Sequence, residues 1–311
     1  MLDWSRPPGC SSGCADTSLP SDHPGYARAM AMSAPLALDD WGGTGPVLHL
    51  AHANGFPPGT YRKLIELLKP RYHVVTVRNR WLVPGTDPLE VQTWDDVAGD
   101  LIQALEAQGL EGVVGVGHSL GGVATLLAAA RQPRLFRAVV ALDPVLLTGR
   151  LLLAVRGLSL LGIRGWIPPA SQARRRRERW SSREEAAEKL RGKPLFQRFD
   201  PECFQDYIAS GLTSTPEGDF RLTIPRAWEA RMFETSPRDA WRSLRSLSVP
   251  TLMVRGGDSD VFFPEALERV RRTVPGVRTE ELPNTAHLFP LEQPEECGRR
   301  ILSFLESTHT R

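Results

Sequence analysis

Several things are scarce in this chain, and each scarcity removes a class of protein. Cysteine is rare: four residues in 311, at Cys10, Cys14, Cys203 and Cys297. Their spacing fits no zinc motif and is far too sparse for a disulfide scaffold. Free thiols in a reducing compartment are expected, and, with neither a secretion signal nor a membrane span legible, so is a cytoplasmic location. Charge of one sign is not in excess. A net charge of +2 gives no overall pull toward nucleic acid or membranes. Long apolar runs are missing as well. The best candidate, residues 146–167, is interrupted by Arg150, Arg156 and Arg164, so no transmembrane segment is expected. Residues 1–33 are rich in Pro, Gly, Ser and Asp and lack the apolar core of a secretion signal. They read as a disordered N-terminal extension, with Met30 and Met32 as candidate starts. No internal repeat is visible.

What remains is an ordinary globular composition, long enough for one large domain with an insertion or for two small ones. After residue 46 short apolar runs alternate with helical patterns. Strands are expected at 47–51, 73–77, 113–116, 138–142, 251–254 and 277–282. Helices are expected at 61–68, 94–108, 123–131, from Pro264, and at 293–305. Alternation of this kind implies an α/β fold, a mostly parallel sheet flanked by helices. The rhythm breaks over residues 146–238, where no strand-like run occurs. A helical insertion is expected there, between core segments 34–145 and 239–311. Placed after the strand ending near Asp143, it would lie over the carboxyl ends of the strands, where open α/β sheets bind ligands.

The chemistry starts at Gly117-His118-Ser119-Leu120-Gly121-Gly122. A serine among glycines, between a buried strand and a helix, is a nucleophile elbow. The tight turn demands small neighbours, and the helix presents its positive end to the hydroxyl. A serine needs a histidine base, and the base needs an acid. His287, in the loop after the last expected strand, is the best placed of seven histidines. The acid is sought in Gly257-Asp258-Ser259-Asp260, after the strand 251–254. Asp260 ranks first and Asp258 second. Asp143 ranks third, at the end of its own strand. An oxyanion hole needs two N–H groups. Leu120 would supply one and the Gly- and Pro-rich loop His52-Ala53-Asn54-Gly55-Phe56-Pro57 the other. His52 and His118 sit inside turn motifs and read as structural.

Together these residues resemble the α/β-hydrolase superfamily over roughly residues 36–306. Gly-His-Ser-Leu-Gly-Gly carries the nucleophile to Ser119. Asp260 stands four residues before Pro264, as the acid does in the family, which favours it over Asp258. Asn284-Thr285-Ala286-His287, followed by Glu292-Gln293-Pro294, is similar to the family's histidine loop, with Ala286 in place of the usual glycine. The segment 146–238 matches the position of the family's helical cap. His52-Ala53-Asn54-Gly55-Phe56-Pro57 departs from the family's His-Gly pattern at the oxyanion loop: anchoring on His52 gives the N–H of Asn54, anchoring on Gly55-Phe56-Pro57 gives that of Phe56, and the balance leans slightly to Asn54.

The resemblance implies a carboxylesterase- or lipase-like serine hydrolase working through an acyl-enzyme, with no metal and no organic cofactor. Its substrate would be a small-molecule ester, its specificity set by the cap. A serine nucleophile argues against the dehalogenase and epoxide hydrolase branches, which place an aspartate there. Thioester, lactone or carbon–carbon bond hydrolysis and perhydrolysis would use the same triad. A non-catalytic ligand- or protein-binding member is the alternative of another class. The run Arg174 to Arg179 would either attract an anionic substrate or surface, or pair with Glu178, Glu184, Glu185 and Glu188 as a solvated helix face. It carries no nucleic-acid motif.

Overall fold

The computed structural model describes residues 34–160, 167–237 and 239–309. The extension 1–33, with Cys10 and Cys14, lies outside the described residues, as does most of the apolar stretch after Leu160.

The core is a seven-stranded sheet in the order β1-β3-β2-β4-β5-β9-β10. β1 (Leu38–Gly43), which the periodicity of the sequence does not announce, is an antiparallel edge strand on β3. Its half-exposed, charged sequence gives little periodic signal. The other strands run parallel. β2 (Val47–Ala51) leads through a loop and α1 (Arg62–Leu68) to β3 (His73–Val77). α2 (Trp94–Ala107) precedes β4 (Val113–His118), and α3 (Leu120–Arg131) precedes β5 (Phe136–Leu142). Every residue of β4 is buried, because helices cover both faces of a parallel sheet. Its sequence is therefore continuously apolar rather than alternating.

Between β5 and the next core strand lie α4 (Gly149–Leu160), α5 (Pro168–Arg175), β6 (Arg179–Trp180), α6 (Arg183–Arg191) and α7 (Pro201–Ser210). β7 (Leu212–Ser214), β8 (Phe220–Leu222), α8 (Arg226–Glu234) and α9 (Ala240–Arg245) complete the stretch. The expectation that no strand occurs in this stretch is thus corrected. β6, β8 and β7 form a small antiparallel sheet. Strands of two or three residues are too short to show alternation. The helices follow local rules: Ser182 caps α6 through Glu185 N–H (3.1 Å), and Asp200 caps α7 ahead of Pro201.

The chain returns to the core with β9 (Thr251–Gly256), α10 (Pro264–Thr273), β10 (Arg278–Leu282), α11 (Phe289–Glu292) and α12 (Pro294–His309). The carboxyl ends of β2, β4, β5, β9 and β10 form one edge, and the site is built there.

Candidate active site

Ser119 follows β4 with φ 56° and ψ −119°. A non-glycine residue in that region is strained, and the turn is held from both sides. Ser119 N–H donates to Leu142 O (2.9 Å), and its carbonyl accepts Val123 N–H (3.1 Å). The glycines are sterically required. A Cβ on Gly117 would meet Gly121 O at 2.5 Å, and one on Gly121 would meet Ala51 O at 2.4 Å.

Ser119 Oγ lies 2.9 Å from His287 Nε2. His287 Nδ1 lies 2.7 Å from Asp143 Oδ2. Serine, histidine and carboxylate thus form a continuous hydrogen-bonded chain, and its acid is the candidate that the sequence ranks last. Asp143 is fully buried at the end of β5, with φ 44°. Its N–H is held by Val254 O (2.8 Å). Gly256 N–H donates to its Oδ1 (2.8 Å) and Ser259 Oγ–H to its Oδ2.

Asp260 and Asp258 are exposed, and only Ser259 between them is buried. The reason is Arg255 at the end of β9. Its guanidinium donates to Phe262 O (2.6 Å), Gly257 O (2.9 Å) and Ser259 O (3.2 Å). That grip folds the loop so that Ser259 faces Asp143 while its two acidic neighbours face away. Asp258 instead pairs with Arg198 (3.0 Å).

The loop 52–57, where the second oxyanion N–H is expected, is ordered by His52. Trp81 Nε1–H donates to His52 Nε2 (3.2 Å), and an indole can only donate. The proton of His52 is therefore on Nδ1, which donates to Ala53 O (2.9 Å). Burial pushes the His52 pKa down to about 4, against hydrogen bonds to Ala53 and Phe56 backbone that raise it. Phe56 N–H also donates to Ala53 O (3.2 Å), so it is already engaged within the loop. In the trans peptide between Ala53 and Asn54, the Asn54 N–H points opposite to that carbonyl.

His118 reads as structural in the sequence, and its bonds show what it holds. Its Nε2 lies 2.9 Å from His287 O, a pure acceptor, so Nε2 carries the proton. Its Nδ1 then accepts Tyr61 O–H (2.6 Å). Tyr61 Oη in turn accepts Ala53 N–H (3.1 Å). This buried relay ties the loop 52–57 to the elbow and to the backbone of His287. Burial, with the nearby His287, drives the His118 pKa well below the usual value.

A cavity of about 850 Å³ opens onto Ser119 and His287, with Leu120, Asn54 and Phe56 on its wall. Leu147 and Leu152 at the start of the insertion, and Met232 and Phe233 from α8, line it too. The arginine run does not face this cavity as a free cation cluster. Arg174 pairs with Glu234, Arg176 with Glu229, Arg177 with Glu185 and Arg179 with Asp219. Of the glutamates expected to pair with the run, Glu185 does so, and Glu178 pairs with Arg226 instead. No group of His, Cys, Asp and Glu among the described residues is arranged to hold a metal ion.

Residues 47–300 match the alpha/beta hydrolase family. The chain belongs to this family. Among its relatives is an abhydrolase domain-containing protein, ACTT2, of Alternaria alternata, 28% identical over 62% of this chain and 83% of that one. Another is 2-(acetamidomethylene)succinate hydrolase of Mesorhizobium japonicum, 23% identical over 85% of this chain and 90% of its own. The alpha/beta hydrolase fold is shared with a solved E-2-(acetamidomethylene)succinate hydrolase, at TM-score 0.69 and 22% identity over 86% of this chain and 94% of that one. A thermophilic esterase from Thermogutta terrifontis aligns at TM-score 0.62 and 23% identity, over 88% and 94%. No helix among the described residues is long and apolar enough to cross a membrane.

Proposed function

We propose that this protein is a serine hydrolase that cleaves a carboxylic ester through an acyl-enzyme on Ser119. The observation that carries the proposal is the chain Ser119 Oγ, His287 Nε2 (2.9 Å), His287 Nδ1, Asp143 Oδ2 (2.7 Å), whose serine and histidine line a largely apolar cavity. His287 takes the Ser119 proton as Oγ attacks the ester carbonyl. Asp143 holds the imidazole tautomer and stabilises the imidazolium. The N–H groups of Leu120 and Asn54 receive the oxyanion, aided by the positive end of α3. His287 then protonates the leaving alcohol, and water repeats the sequence on the acyl-enzyme.

In this reading the segment 146–238 is a cap that shapes the acyl pocket. Asn54 Nδ2 donates to Glu229 O of α8 (3.0 Å), and His52 O of the same loop packs against Gly121 of the elbow, so the loop joins cap and elbow. Buried free thiols at Cys203 and Cys297 are in keeping with a reducing, cytoplasmic setting. The proteins that share the fold include one named an esterase and one named an E-2-(acetamidomethylene)succinate hydrolase, and hydrolysis is common to both names.

Labelling of the purified protein with a fluorophosphonate, in wild type and Ser119→Ala, followed by a panel of aryl esters, tests the proposal. Labelling and ester turnover are expected in wild type, with turnover lowered on the order of 10⁶-fold in Ser119→Ala. A folded wild type that neither labels nor turns over any ester overturns it.

A further inference from the structure

We infer that the cavity selects bulky, uncharged acyl groups and rejects acyl groups bearing a carboxylate, with Asp260 as a specificity-determining residue. The inference rests on the acyl-enzyme reading of the same site and names its substrate class.

The cavity, about 850 Å³, lies in the upper part of the size range of small-molecule pockets, roughly 300–1,000 Å³. Its wall carries Trp94 and Trp241 beside Leu147, Leu152, Met232 and Phe233. Both indole N–H groups are engaged elsewhere, Trp94 on Met232 O (3.1 Å) and Trp241 on Leu147 O (2.8 Å). The tryptophans therefore offer the cavity ring carbon rather than a donor.

Charge on the described wall is one-sided. Glu229, Asp239, Asp260 and Glu292 face a lone guanidinium, Arg198. Arg198 is not free to receive an anion. It holds Asp258 and Glu292 at 3.0 Å each and donates to Asn284 O (2.5 Å). Glu229 is neutralised by Arg176, and Asp239 accepts Arg242 N–H at the start of α9 (3.2 Å). Asp260 is exposed on the wall and has no partner among the described residues. The loop geometry that removes it from His287 leaves its charge uncompensated at the substrate's side.

A substrate carboxylate entering here would lose water to an apolar wall, meet a like charge and find the one guanidinium among the described wall residues already paired. Burying an unpaired charge and juxtaposing like charges each cost free energy. A neutral acyl chain meets neither penalty and covers apolar surface.

The test compares p-nitrophenyl hexanoate with mono-p-nitrophenyl adipate, which differ by a terminal methyl against a carboxylate. Wild type is expected to favour the hexanoate by about 100-fold in kcat/KM. Asp260→Lys is expected to narrow that ratio at least about fivefold at low ionic strength, and added salt to erase part of the gain. A wild-type ratio below about threefold, or one that Asp260→Lys leaves unmoved, overturns the inference. Calorimetric binding to Ser119→Ala, with methyl hexanoate and monomethyl adipate, separates the two claims. Binding of the neutral ester about tenfold or more tighter upholds the charge selection even if no ester is turned over, the result that would sink only the ester reading. Equal binding, or binding of neither, overturns it.

Discussion

At the residue scale the decisive contact is that between His287 and Asp143. Three donors converge on this buried carboxylate: Gly256 N–H, Ser259 Oγ–H and His287 Nδ1–H. Replacing it by asparagine removes the charge and presents an amide where only acceptors fit. Asp143→Asn should lower kcat by about 10⁴-fold. Its loss should exceed that of Asp260→Asn by at least about 100-fold, read from steady-state turnover of a neutral aryl ester. The opposite ranking would return the acid role to the Asp258–Asp260 loop. Tyr61 makes a second residue-scale prediction. Tyr61→Phe strips His118 of its donor and Ala53 N–H of its acceptor, each buried. An unmade buried hydrogen bond costs about 1–3 kcal/mol. If that cost falls on the alignment of the oxyanion loop with His287, kcat drops about 10- to 100-fold. Substrate KM should stay within about twofold, while affinity for a trifluoromethyl ketone falls with kcat. A change in KM alone would make Tyr61 a packing residue.

At the element scale two contacts hold the site together. The elbow brings β4, α3 and the end of β2 so close that Gly121 cannot carry a side chain. Because a Cβ there would meet the Ala51 backbone at 2.4 Å, relief requires moving a strand rather than a flexible group. Gly121→Ala should cost about 3 kcal/mol in urea denaturation, and fluorophosphonate labelling should slow with it. The second contact lies within the insertion. Arg176 bridges Glu229 and Tyr207 Oη (2.9 Å), and so couples α5, α7 and α8 beside the oxyanion loop. Its neighbour Arg175 is exposed and reaches Ser171 Oγ (3.3 Å). Arg176→Met leaves Glu229 without its cation and should cost about 3–5 kcal/mol. Arg175→Met should stay within about 0.5 kcal/mol. Equal denaturation midpoints for the two variants would show that the pair contributes nothing to the insertion.

At the scale of the whole molecule, the carboxyl edge of the sheet is packed with neutral histidines. Burial, reinforced by His52, pushes the His49 pKa down to about 3, and burial pushes His52 down to about 4. Both folded values lie below the unfolded value of about 6.5, so the unfolded chain takes up protons first as the pH falls. Their neutral forms therefore contribute stability that is complete above pH 6.5 and is lost as the pH drops toward 4 and then 3. At pH 5 the loss is about 2 kcal/mol for each histidine. Urea midpoints measured at pH 7 and pH 5 should fall accordingly. A flat profile across this window would mean that the two rings are solvated in the folded protein.

Much of this molecule is legible in its amino-acid sequence. The apolar strands of a sheet covered on both faces are continuous in sequence, which is why β2 to β5 and β9 can be placed within a few residues. The elbow is legible because its steric demands are local: a serine at φ 56° needs glycine within three residues on each side. His287 is legible from its loop after the last core strand. The edge strand β1 and the short strands β6 to β8 are not, because they owe their pairing to distant partners rather than to periodicity. The acid is the sharpest divergence. Asp143, Asp258 and Asp260 all follow core strands, and the one local feature that separates them, the spacing of Asp260 from Pro264, points away from the carboxylate that meets His287. The choice falls to Arg255, which grips the loop backbone and turns Ser259 inward, and to β5 and β9 lying side by side. A residue's chemistry is local and can be read from the chain, but which carboxylate meets the imidazole depends on the register of strands more than a hundred residues apart in sequence.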